Sequence, residues 1–180
     1  MTKNKQATII FTVGHSTHTL EQFIDLIQHY GINHVIDIRT IPRSRHNPQF
    51  NEKEFGNALR AAKIKYTHLE KLGGLRHTTA ASINTGWHNA SFRGFADYMQ
   101  TAAFKEGLQQ LIKYAEHDTV AIMCAEAVPW RCHRSLIGDA LVVRGIDVED
   151  IFSLTEIKPH KLTLFAHVEG EEVTYPDTHQ

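Results

Sequence analysis

Cysteine is scarce in this chain, with two residues in 180. A secreted scaffold stapled by disulfides needs more, so reduced thiols and a cytoplasmic location are the expectation. Long apolar runs are missing too. None approaches the roughly 20 residues that span a bilayer, and the opening Met1–Gln6 is polar, without the apolar core of a signal peptide. No membrane partner is expected. Charge excess is also absent: 19 Lys and Arg against 20 Asp and Glu give a formal net charge of -1. The field of the whole molecule therefore draws neither DNA nor an acidic membrane, although local patches escape that argument. The usual short signatures fail as well. There is no G-x-G-x-x-G, G-x-S-x-G, C-x-x-C or H-E-x-x-H, which disfavours a dinucleotide fingerprint, a nucleophile elbow and a tight metal site. Histidine is the abundant exception at 13 residues, so positive charge should climb as the pH falls below about 6.5.

What is present is a chain of strands alternating with helical patterns. Ala7–Val13 reads as a buried strand ending at Gly14, and Thr19 with Gln22 has capping-box spacing ahead of the apolar face Leu20, Phe23, Ile24 and Ile27. Gly31 supplies a left-handed stop. His34–Ile38, Ile64–Leu69, Thr119–Cys124 and Val148–Phe152 read as further strands, with helical faces between them. A long irregular stretch, Lys71–Ala90, reads as a functional flap or a disordered loop. Leu162–Val168 and Glu172–Tyr175 suggest a terminal hairpin through Gly170. This pattern predicts a single α/β domain over 1–180, with its core at 7–152 and a C-terminal extension at 153–180. The expected architecture is a three-layer, Rossmann-like fold with a mostly parallel five-stranded sheet in the order 3-2-1-4-5.

Ligands of such sheets bind beyond the carboxyl ends of the strands, so the residues following each strand carry the functional reading. Cys124–Arg134 follows the fourth strand. Cys132 falls near the first turn of the next helix, where free amides and arginines would favour a thiolate. It reads as a nucleophile or redox thiol, or as a small packed apolar residue. Cys124 reads as packing or as part of the binding surface. A thiol-phosphatase or rhodanese loop is disfavoured, because Trp130 stands where the arginine following Cys124 would be. Glu126 suits proton transfer in a half-buried cleft, or pairing with Arg131 or Arg134. His15 reads as a general base or a core histidine. Ser16, in the same turn after Gly14, reads as part of an anion-binding turn or as a helix cap. Asp37 at a strand end pairs with Arg39. Arg39, Arg43 and Arg45 form either a polyanion grip or a solvated loop. Gly73, Gly74, Arg93, Tyr98, His133 and Arg134 complete the candidate binding surface. No metal site is expected and no cofactor is indicated.

Together Val13-Gly-His-Ser16, Asp37-Ile-Arg39, Pro42-Arg-Ser44, Leu72-Gly-Gly74, Phe92-Arg-Gly94 with Tyr98-Met99, and Cys124-Ala-Glu126 through Cys132-His-Arg134 resemble the domain of unknown function 488 family, from about Thr12 to Phe152. That resemblance implies a compact α/β domain and supplies no reaction. Two functions stay open: an enzyme acting on an anionic, phosphate-bearing substrate such as a nucleotide or nucleic acid, and a non-catalytic binding or redox-sensing module for such a ligand.

Overall fold

A computed structural model describes residues 7–178; Met1–Gln6 lies outside the described residues. Five parallel strands form the centre: β1 (Ile9–Gly14), β2 (His34–Asp37), β3 (Lys65–His68), β4 (Val120–Cys124) and β5 (Asp147–Ile151). A short antiparallel strand, β6 (Ile157–Pro159), closes one edge, and β7 (His167–Glu169) pairs with β8 (Glu172–Thr174) as a separate hairpin. The helices are α1 (Leu20–His29), α2 (Glu52–Ala61), α3 (Ala90–Tyr98), α4 (Ala102–His117) and α5 (Arg134–Val142). None of the described helices is long and apolar enough to cross a membrane.

The α/β class, the mostly parallel sheet and the hairpin are as expected, but the strand order is β3-β2-β4-β1-β5-β6 rather than 3-2-1-4-5. Strand β4 inserts between β2 and β1. The reason it escapes sequence reading is physical. Every residue of β4 is buried, and β1 is nearly so; strands covered on both faces carry no alternation to show which is central. Strand β6 was missed because it has three residues and ends in Pro159, which lacks a donor and is tolerated at a sheet edge.

The layers follow from the connections. The β1–β2 and β2–β3 crossovers run toward one edge, and the β3–β4 and β4–β5 crossovers run back. Right-handed crossovers then put the two sets of helices on opposite faces. Phe23, Leu26 and Ile27 of α1 and Phe55 and Leu59 of α2 pack with Val35, Ala121 and Met123. Phe95, Phe104, Leu108, Leu136 and Ile137 from α3, α4 and α5 pack with Ile36, Ile122 and Cys124 on the other face. The period of two along β4 thus sends Cys124 toward α5 and Met123 away from it.

Local signals hold at the start of α1. Thr19 Oγ1 accepts the Gln22 amide at 3.0 Å, and Gln22 Oε1 accepts the Thr19 amide at 3.0 Å. Thr19→Ala should therefore cost about 1 kcal/mol, measurable as a lowered urea midpoint with an unchanged slope. Residues 73–89 are irregular but organised, not a loose flap. Asp97 gathers them, accepting hydrogen bonds from Thr78, Thr79, Ser82 and Asn84. Burial would raise the Asp97 pKa, yet these donors outweigh it and hold the carboxyl below its usual range. Asn84, fully buried, then accepts the Tyr175 amide at 2.9 Å and ties the loop to the C-terminal segment.

Candidate functional site

The carboxyl ends of the strands form one row: Gly14 pairs with Cys124, and Asp37 lies between Met123 and His68. Above β2 and β4, on the α3–α5 side, opens a cleft of about 760 Å³. The exit of β2 contributes Arg39, Thr40, Ile41 and Arg43 to its wall. The loop after β3 contributes Gly74, Leu75, Arg76, His77 and Thr78. Asn89 to Phe92 close one side, and Cys124, Glu126, Arg131, Cys132 and His133 form the floor and the far side. Four arginines and one carboxylate, Glu126, line it.

Arg39 is the most constrained of the four. Its Nε and Nη2 bind Asp37 at 2.9 and 2.7 Å, and Nη2 also donates to the Phe50 carbonyl at 2.7 Å. Asp37 is fully buried and also accepts Tyr66 Oη at 2.6 Å. A buried carboxylate at a strand end needs such pairing. The pairing leaves Arg39 Nη1 buried and without a partner among the described residues, and buried donors are rarely left so. Asp37 therefore orients Arg39 and does not itself line the cleft. Tyr66 was not legible as part of this pair, because it arrives from β3, 29 residues away. Burial first, then the Asp37 charge, push its phenol well above the ordinary range.

Arg76 is held in another way. Its guanidinium stacks over the Tyr98 ring at 3.7 Å, and it donates to the carbonyls of Gly73 and Glu70. Tyr98 is thus behind the wall, with its hydroxyl donating to Lys71 O at 2.6 Å. Arg93 is also off the wall, turned to the Trp87 carbonyl at 2.9 Å. Gly73 lies beneath Thr40, whereas Gly74 is on the wall, and a Cβ there would overlap the His133 ring. Arg76 and Arg131 are the cationic wall residues that the sequence reading did not select.

The exit of β1 differs from expectation. The amides of His15 and Ser16 are not free for an anion; they donate to Cys124 O at 2.9 Å and Ala125 O at 3.0 Å, extending the ladder. The crevice between β1 and β4 is filled by residues 125–127, whose Glu126 carbonyl rests where Gly14 has no Cβ. His15 is buried, stacked on Phe50 at 4.3 Å, and lies outside the cleft. Its Nδ1 meets the Ser16 carbonyl at 2.9 Å, so that nitrogen carries the proton and Nε2 holds a buried lone pair without a partner among the described residues. Burial lowers its pKa, opposed by the Ser16 carbonyl and reinforced by Arg39.

Arg134 does not line the cleft either. It is 1% exposed beneath the floor. Its Nη1 donates to Cys124 Sγ at 3.5 Å and to Glu126 O at 3.3 Å, and Nη2 donates to Ala127 O at 3.3 Å. The first-turn amides of α5 are used locally: Arg134 N points at Cys132 Sγ at 3.5 Å and Ser135 N at Cys132 O at 3.1 Å. His133 Nε2 lies between the carbonyls of Ile38 and Leu72 at 3.0 and 2.9 Å, which assigns it the proton. Its Nδ1 is then an acceptor 3.4 Å from Cys132 Sγ. Burial drives the His133 pKa down to about 4, so the ring is neutral. The two thiols diverge. Burial opposes ionisation of both, but Cys132 and Arg134 bring the Cys124 pKa below its ordinary value, while burial and the Cys124 sulfur push Cys132 well above. No group of three or more His, Cys, Asp or Glu among the described residues could hold a metal ion.

Strand exits, an organised wall and an arginine-rich cleft define an α/β protein with a polar cleft at the carboxyl edge of its sheet. The chain belongs to the family described as Domain of unknown function DUF488, whose model matches residues 19–141 and so spans the whole cleft. No curated protein and no solved structure matches the chain.

Proposed function

We propose that the cleft belongs to an enzyme acting on an anionic, phosphate-bearing substrate. The observation that carries this reading is the wall itself: Arg39, Arg43, Arg76 and Arg131 against Glu126, in a protein whose formal net charge is -1. Arginine forks fit phosphate oxygens in pairs, and the buried Arg39 Nη1 offers a donor that no described protein group takes. Ile41, Leu75 and Phe92 add apolar wall beside the cations, which suits a ligand with a phosphate and an apolar or aromatic body. Glu126, exposed on the floor, is the proton acceptor of this reading, and Thr40 and Ser91 add hydroxyl donors.

Calorimetric titration with inorganic pyrophosphate tests the grip. Arg43 and Arg131 are exposed and make no side-chain hydrogen bond or ion pair among the described residues, so Arg43→Ala and Arg131→Ala separate binding from folding. Each should weaken binding roughly tenfold, the size of one charge-assisted hydrogen bond. Binding should also fall between about 50 and 200 mM salt. Unaltered affinity in both variants would contradict the placement. A panel of phosphate mono- and diesters, short oligonucleotides included, then tests catalysis. Saturable turnover lost in Glu126→Gln with pyrophosphate affinity unchanged supports an enzyme, whereas binding without turnover of any ester assigns a binding module.

A further inference from the structure

The floor of the cleft contains chemistry that anion binding does not use. Arg134 is almost wholly buried, and no carboxylate pairs with it among the described residues. A buried guanidinium facing only carbonyls lacks a counter-charge, which is costly. Among the described residues, the ionisable group in contact with the guanidinium is Cys124 Sγ, 3.5 Å from Nη1. Cys132 lies at the other end of the same arginine, its Sγ 3.5 Å from the Arg134 amide. Both cysteines line the cleft and both are free thiols.

We propose that Cys124 and Cys132 form a redox-active dithiol at the cleft floor, in which Cys124 is the attacking sulfur and Cys132 resolves it as a disulfide. The proposal is independent of the anionic substrate. The roles follow from the neighbours. Arg134 stabilises a thiolate at Cys124, as cationic groups do for reactive thiols. Cys132 faces the acceptor nitrogen of a neutral His133 and keeps its proton. Cys132 has extended backbone, φ -137° and ψ 147°, between the 3-10 turn Pro129–Arg131 and α5, so turning its side chain gives up the Sγ contact with the Arg134 amide and leaves the backbone hydrogen bonds of α5 in place. The direction of the two thiol pKa values agrees, with Cys124 lowered and Cys132 raised.

The oxidant is a hydroperoxide, taken here as hydrogen peroxide. The Cys124 thiolate attacks one peroxide oxygen; the S–O bond forms, the O–O bond breaks, and the leaving hydroxide takes up from solvent the proton that the Cys124 thiol released, giving water. The sulfur has lost two electrons and is a sulfenic acid. Cys132 sulfur then attacks Cys124 sulfur; the S–S bond forms, the S–O bond breaks, and the departing hydroxide takes the Cys132 proton as a second water.

The test uses the full chain with reduced thiols. Pulse alkylation at pH 7 followed by peptide mapping should label Cys124 at least about tenfold faster than Cys132, since the thiolate is the reacting form. Stoichiometric hydrogen peroxide should yield the Cys124–Cys132 disulfide. In Cys132→Ser the reaction should stop at a Cys124 sulfenic acid that dimedone traps. Pyrophosphate titration of the reduced wild-type protein reads the anion grip without the thiols, so failure here and failure of the anion grip are distinguishable. Faster alkylation of Cys132, or peroxide treatment that leaves both thiols reduced or carries Cys124 to a sulfinic acid without a disulfide, would overturn the proposal. The alkylation pattern comes from the wild-type protein and stands even if a variant does not fold.

Discussion

Raising the pH from 6.5 to 9.5 should remove about 3 kcal/mol of stability through His160 alone. The His160 ring bridges two buried aspartates, with Nε2 at 2.9 Å from Asp139 and Nδ1 at 3.0 Å from Asp150. Asp139 also accepts Tyr175 Oη at 2.8 Å and the Thr163 amide at 3.1 Å, and Asp150 accepts Thr12 Oγ1 at 2.5 Å. One imidazolium thus joins β1, α5, β5 and the C-terminal segment. Burial by itself would lower its pKa, but the hydrogen bonds and charges of Asp139 and Asp150 outweigh burial and raise it to about 9, against an ordinary value of 6.5. The folded protein therefore binds the proton more tightly than the unfolded chain. That stabilisation is fully present below pH 6.5 and is lost as the pH rises through about 9. The gap between 9 and 6.5 corresponds to about 3 kcal/mol. Urea unfolding of wild type and His160→Gln at both pH values measures it: the variant should be less stable at pH 6.5, and the difference should shrink at pH 9.5. A difference independent of pH would show that the ring is held neutral.

Gly14→Ala should be equally damaging, for a steric reason. A Cβ at Gly14 would overlap the Glu126 carbonyl, with Ala127 Cα 3.1 Å away. Backbone cannot rotate aside as a side chain can, and the same carbonyl accepts from Arg134 Nη1 and lies 3.6 Å from Cys124 Sγ. The added methyl must push residues 125–127 outward, breaking the cover over Arg134 as it does so. A loss of about 3 kcal/mol is expected, with faster alkylation of both thiols as the floor opens. Thermal unfolding and thiol titration together check it. A variant with wild-type midpoint and wild-type thiol rates would mean the 125–127 turn packs elsewhere.

The sequence shows the elements more readily than their arrangement. Thr19 with Gln22 and the apolar spacing of α1 are local, so the start of that helix is legible within four residues. Asp37 with Arg39 is legible for the same reason, because both lie on one short extended segment. The position of β4 is not, since two strands buried along most of their length look alike. The site divides along the same line. Arg39, Arg43, Gly74, Cys124, Glu126, Cys132 and His133 do meet at one cleft. Helix-terminus reasoning favours Cys132 as the reactive thiol, but the Arg134 side chain folds back onto Cys124, and no spacing rule contains that turn. Tyr66 behind Asp37, Asp97 under the 73–89 loop and His160 between two aspartates all depend on partners from distant segments. Their residue types advertise nothing until the fold brings them together.

We propose that the carboxyl edge above β2 and β4 holds phosphate groups, gripped by arginines. A crystal structure of the protein with pyrophosphate tests it most directly. The anion is expected in the cleft, within hydrogen-bond distance of Arg39 Nη1 and between Arg43 and Arg76. Pyrophosphate bound outside the cleft, or an empty cleft at concentrations that saturate binding in solution, would contradict it.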